Sequence, residues 1–129
     1  MNRVNRFEDL IAWQKARSLS SRVYLATLDG RFTKDFVLSK QMRASALSLP
    51  SNIAEGFERG GRAEFAQFLS IAKGSCAELR TQLYVAGDIG YIEAEQLNVL
   101  LQDAEEVTRI VAGLRTAVAN QRRRLSPKS

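Results

Sequence analysis

Residues 65–86 read FAQFLSIAKGSCAELRTQLYVA, and within them Phe65, Leu69, Ala72, Cys76, Leu79, Leu83 and Ala86 recur at intervals of 4, 3, 4, 3, 4 and 3. Intervals of three and four stack side chains on one stripe of an α-helix, because 3.6 residues complete a turn. A strand would need alternation at every second position, which no part of the chain sustains. The next segment continues the rhythm with Leu97, Leu100, Ala104, Val107, Val111, Leu114 and Val118. Upstream, Ala12, Ala16, Leu19, Val23 and Ala26 keep it, as do Met42, Ala46, Leu49 and Ile53. Four amphipathic helices are predicted, and the fold class is all-α.

Turn signals separate them. Gly30, the pair Gly60-Gly61 and the run Asp88-Ile89-Gly90 each stand where a helix is expected to stop. The intervening segments are about 22–29 residues, or roughly 33–43 Å at 1.5 Å per residue, so helices of matched length are expected. Short connections make consecutive helices antiparallel neighbours, and an up-down-up-down four-helix bundle is the packing that follows. Asn5 with Glu8 has the form of a cap for the first helix, and Thr33 ahead of Lys34, Asp35 and Phe36 the form of a cap for the second. The expected organisation is a basic extension over residues 1–6, one bundle domain over 7–121 and a basic, flexible tail over 122–129.

A chain of 129 residues has room for one domain and can bury a core without disulfide or metal. Histidine is absent, which removes His-based acid–base catalysis, Ser-His and Cys-His nucleophile pairs and most zinc and haem sites. No enzyme activity, cofactor or metal is expected. Cys76 is the one cysteine, Met1-Asn2-Arg3-Val4 opens without an apolar run, and no stretch approaches the ~18 apolar residues of a membrane span. The expectation is a soluble protein of the cytoplasm. The net charge of +5 comes from the ends: Arg3, Arg6, Arg122, Arg123, Arg124 and Lys128 supply +6, and residues 7–121 sum to −1.

Several helices carry a second apolar row, with Leu10, Trp13, Tyr24 and Leu28 on the first and Phe68, Ile71, Tyr84 and Val85 on the third. These rows either widen the core face or meet another subunit; a homo-oligomer is the sharper expectation. Pro50 sits inside the second helix, where it removes the hydrogen bond to the carbonyl of Ala46 and predicts a kink. Ser48, Asn52 and Glu55 surround it. They form either a polar pocket or a structural network that satisfies the released carbonyl, with Glu55 paired to an arginine such as Arg43 or Arg80. Gly74-Ser75-Cys76 places small residues mid-helix, as close helix approach would require, and Cys76 there is an inert core thiol. Glu105 and Glu106 lack the Glu-x-x-His companion of a di-iron bundle.

Residues 38–56, LSKQMRASALSLPSNIAEG, closely resemble the signature of the four-helix bundle protein family also called 23S rRNA-intervening-sequence proteins. Phe7-Glu8-Asp9-Leu10 with Trp13 is similar to that family's opening. Glu64-Phe65, Phe68-Leu69, Ala72-Lys73-Gly74-Ser75, Glu78-Leu79 and Thr81-Gln82-Leu83 resemble its third helix, and Ile89-Gly90-Tyr91-Ile92 the turn before its last. The resemblance spans about residues 7–118 and implies antiparallel four-helix bundles that assemble as ring-like homopentamers. It attaches no catalysis and no established cellular role. A similar protein accompanies the reverse transcriptase of diversity-generating retroelements and binds nucleic acid and that enzyme.

Two roles are therefore expected: weak, sequence-independent nucleic-acid binding multiplied by avidity around a ring, or a scaffold presenting its surface to a protein partner such as a reverse transcriptase. The candidate phosphate-binding set is Arg17, Arg22, Lys40 and Arg43 with Arg122, Arg123 and Arg124; the competing reading is an ordinary solvated surface balanced by nearby acids. No RNA-recognition aromatic motif, helix-turn-helix pattern or KH loop accompanies them.

Overall fold

The computed structural model describes residues 4–125, with side chains through Gln121. It contains helices α1 (Ile11–Ala26), α2 (Phe36–Glu58), α3 (Arg62–Asp88) and α4 (Ala94–Leu125), and two short 3-10 turns, Phe7–Asp9 and Gly30–Lys34. Among the described residues there is no strand. Expectations placed on residues 1–3 and 126–129 lie outside the described residues.

The apolar stripes meet in one core. Leu69, Ala72, Cys76, Leu79, Leu83 and Ala86 of α3 are fully buried, as are Met42, Ala46, Leu49 and Ile53 of α2. From α1 come Ala12, Ala16, Leu19 and Val23, and from α4 Leu100, Ala104, Val107, Val111 and Val118. Each large aliphatic side chain removed from water in this way stabilises by roughly 1.5–3 kcal/mol, which is why the stripe decides the fold. Contacts flanking the core join α3 to α4: at the surface Arg62 bonds Gln121 and Arg115 Nε donates to Ser70 Oγ at 2.5 Å, and Gly87 lies against Leu97. The close approach of α2 to α3 is at Gly56, where an added Cβ would fall 2.6 Å from Phe68 Cβ. Of the run Gly74-Ser75-Cys76, buried Ser75 also meets α2 closely, at the Ser48 hydroxyl, while Gly74 faces open space.

The helices are not of matched length. They run 16, 23, 27 and 32 residues, because the first segment is trimmed at both ends. At its start the cap is neither Asn5 nor Glu8. Asp9 Oδ2 accepts from the Asn5 and Arg6 amides at 3.2 and 3.3 Å, closing the 3-10 turn, and extended Leu10 then turns inward to be buried ahead of α1. At its end the backbone leaves the helix at Thr27. The 3-10 turn Gly30–Lys34 follows and drives Phe32 into the core, at 2% exposure, edge-on to Tyr91 with ring centroids 5.1 Å apart.

The second helix is capped two residues later than Thr33 suggested. Asp35 Oδ1 accepts from the Leu38 amide at 3.0 Å, and its Oδ2 accepts from the Tyr91 hydroxyl at 2.9 Å. The Leu38 amide, aided by that hydroxyl, holds the Asp35 carboxyl below the usual carboxylate range, and the same carboxylate pushes the Tyr91 hydroxyl up. Thr33 instead turns its hydroxyl back to the Gly30 carbonyl. Pro50 is buried inside α2, which continues as one helix to Glu58. Among the described residues no helix is long and apolar enough to cross a membrane.

Candidate functional site

Two members of the expected cationic set share a site. Lys40 and Arg43 line a cleft of about 370 Å³ between α1 and α2, together with Tyr24, Phe36, Ala44 and Leu47. Spacing explains the convergence on the α2 side, since Phe36, Lys40, Arg43 and Leu47 follow one another at 4, 3 and 4 residues. Arg43 is held in place. Its Nε donates to Thr27 Oγ1 at 2.8 Å, its Nη2 donates to the Thr27 carbonyl at 3.2 Å, and its guanidinium carbon sits 4.6 Å from the centre of the Tyr24 ring. It thereby caps the C-terminal end of α1 as well as lining the cleft. Lys40 is exposed, and among the described residues no carboxylate lines the cleft with it.

The other members lie elsewhere. Arg22 is bound to Asp103 of α4 and lines a separate cleft with Leu25, Asp29 and Val99. Arg17 packs over the Trp13 ring, 5.4 Å from its centre, while Trp13 packs edge-on against Phe7. Neighbouring charges are similarly engaged: Lys15 lies 3.6 Å from Glu106 and Arg80 lies 3.8 Å from Glu105. Exposed pairs of this kind add little stability, but they cancel the field that a phosphate would sense. The side chains of Arg122, Arg123 and Arg124 lie outside the described residues; their backbone continues α4 to Leu125.

The family model described as 23S rRNA-intervening sequence protein matches residues 8–113. The chain belongs to the 23S rRNA-intervening sequence protein family. A crystal structure at 1.70 Å resolution, described as a protein with unknown function from the S23 ribosomal protein family from Bacteroides thetaiotaomicron VPI-5482, is similar to it in fold. The TM-score is 0.76 at 26% identity, over 82% of this chain and 96% of that one. No curated protein matches the chain.

In this 23S rRNA-intervening sequence protein the polar residues around Pro50 tie helices together. Ser48 Oγ and Ser75 Oγ are hydrogen-bonded at 2.8 Å across α2 and α3, and Asn52 Nδ2 donates to the Ser48 hydroxyl at 2.7 Å and to its carbonyl at 2.8 Å. The carbonyl served by Asn52 is thus Ser48's. Glu55 stands apart: it pairs one turn on with Arg59, at 2.9 Å, and with neither Arg43 nor Arg80. Cys76 is fully buried, and burial pushes its thiol up, away from the thiolate a nucleophile would need.

Tyr24 stands in the second apolar row of the first helix, and its place beside Lys40 and Arg43 is what the sequence does not show. Phe36 was read only as the start of a helix, yet it is 79% exposed, and Tyr24 is 46% exposed. The available signal was the 4-3-4 spacing that puts Phe36 in line with Lys40 and Arg43 while the core stripe runs through Met42 and Ala46.

Proposed function

We propose that this chain is a non-enzymatic, self-associating protein of the cytoplasm that holds nucleic acid without reading its sequence. The observation that carries the reading is the cleft in which Lys40 and a fixed Arg43 converge without a carboxylate. Two cations per chain bind phosphate weakly, and repetition around an assembly multiplies that weak contact. The assembly is the ring-like homopentamer that the family resemblance implies, built from antiparallel up-down-up-down bundles. The pairings of Arg62 with Gln121, Ser70 with Arg115 and Gly87 with Leu97 support opposite directions for α3 and α4. Apolar exposure supports self-association: Leu25 at 63% and Val99 at 51% line the cleft of about 410 Å³ shared by α1 and α4.

Two measurements test this. Light scattering coupled to gel filtration gives a mass well above one 14.4 kDa chain; a monomer mass overturns the assembly. Titration with mixed DNA and RNA through a salt series gives a negative log–log slope, because each neutralised phosphate releases counterions. No binding at low salt, or a slope near zero, overturns the nucleic-acid reading.

The second reading is a scaffold for a protein partner, favoured by the neighbouring Phe36 and Val37 at 79% and 72% exposure. A polymerase-type partner that co-purifies from the native host and survives nuclease treatment selects it.

A further inference from the structure

Beyond phosphate contact, the α1–α2 cleft has a chemistry that the two cations do not explain. It is lined by a phenyl ring, Phe36, which is 79% exposed at the first turn of α2. Facing the same space is Tyr24, whose ring already carries the Arg43 guanidinium at 4.6 Å. Lys40 lies between Phe36 and Arg43 on one face of α2, and Leu47 ends the row. At 1.5 Å per residue the row from Phe36 to Leu47 is about 16 Å long. Aromatic faces interleaved with cations along one open cleft are the makings of a platform for unpaired bases.

We propose that this cleft binds single-stranded nucleic acid, with a base stacked on Phe36 and the adjoining phosphates on Lys40 and Arg43. This rests on the nucleic-acid reading given above and adds the strandedness and the base contact. A duplex keeps its base faces inside its own stack, so it offers Phe36 nothing and can use the cations alone. A single strand offers both. Every base has a π-face, and the cleft's polar lining beyond the cations is the Tyr24 hydroxyl and a buried Ser39 already bonded to the Asp35 carbonyl, so the site selects strandedness and not sequence. DNA and RNA single strands share this chemistry.

The test is fluorescence anisotropy with the full-length protein and three labelled probes: a 12-nucleotide oligothymidylate, the corresponding oligouridylate, and a 12-base-pair DNA duplex. Single strands bind more tightly than the duplex. Phe36→Leu, which keeps apolar bulk but removes the ring face, weakens both single strands about ten-fold and leaves duplex binding within about two-fold. Phe36→Tyr restores single-strand binding. Lys40→Ala lowers the magnitude of the single-strand salt slope by about 0.7. The four proteins are compared at equal helical content and equal light-scattering mass, which the conservative leucine and tyrosine variants are chosen to retain. Wild-type single-strand affinity in Phe36→Leu, or equal weakening of strand and duplex, overturns the stacking proposal while the nucleic-acid reading stands. Absence of binding to all three probes at low salt overturns both. If one of the two single strands alone binds, the chemistry extends past the base face to the sugar or to the thymine methyl, and the sequence- and sugar-tolerant platform is wrong.

Discussion

The α3–α4 half and the α1–α2 junction are held by different kinds of information. From Leu69 to Ala86 the core of α3 is one unbroken stripe, every member of it without exposed surface. Its pattern is local: intervals of three and four suffice, whatever the partner is. Residues 27–35 have no such period. They are fixed by long-range contacts, Phe32 against Tyr91, Asp35 to the Tyr91 hydroxyl, and Thr27 to Arg43. Stability there depends on pairs whose members are far apart in sequence, while in the helical half it depends on repetition.

The sharpest way to break the contrast is to remove the plug. Phe32→Ala empties a buried aromatic site and costs about 3–5 kcal/mol, read as the shift of the urea midpoint at constant m-value. A loss below about 1 kcal/mol would make residues 27–35 a mere connection. Leu79→Ala probes the repetitive half. It deletes a fully buried side chain midway along the stripe and costs about 2–5 kcal/mol in the same assay. If Leu79→Ala proved near neutral, the stripe would be packed too loosely to specify the helix pairing. A smaller effect separates turn geometry from packing. Gly60 closes α2 with φ of +79° and nothing within 4 Å of where a Cβ would stand. Gly60→Ala therefore pays only for the left-handed backbone, about 1–2 kcal/mol, and a larger loss would reveal packing that this space does not suggest.

The same division explains what was legible in the sequence. The four helices, their core stripes and the Gly60 and Gly90 breaks follow from period and turn chemistry, and each could be written down from residues a few positions apart. The shortened α1 could not, because Leu25, Leu28 and Phe36 stand at helical spacing from Phe32 and yet stay exposed, while the ring that packs against buried Phe32, Tyr91, lies far along the chain. Asp35 displaced Thr33 as the cap for a similar reason: its second oxygen has a partner, Tyr91, that lies 56 positions away. At the candidate site, Lys40 and Arg43 were visible as cations one turn apart. That Arg22 is spent on Asp103, and Lys15 on Glu106, required the register of α1 against α4, which no periodicity encodes. The fully buried stripe of α3 and the half-spent cation set are two outcomes of one fact, that burial patterns are periodic and charge pairing is not.

The junction's electrostatics supply the finest test of the contrast. Because the Leu38 amide, and after it the Tyr91 hydroxyl, bond the ionised form, the Asp35 carboxyl titrates lower in the folded chain than in the unfolded one. A group depressed on folding contributes stability that is fully present above its unfolded value, near ~3.9 for aspartate, and that fades as pH falls through the lower folded value. Asp35→Asn keeps a side chain able to cap α2 and can still accept from Tyr91, so it removes the charge while leaving the shape. The variant is accordingly a little less stable than the native chain at pH 7, and the gap narrows at a pH well below the ~3.9 of free aspartate, as the native carboxyl takes up its proton. Urea titrations of both proteins at the two pH values measure it. A gap that persists unchanged in acid would mean that Asp35 acts through packing or backbone conformation, which would make the junction more like the helical half than its unrepeated sequence implies.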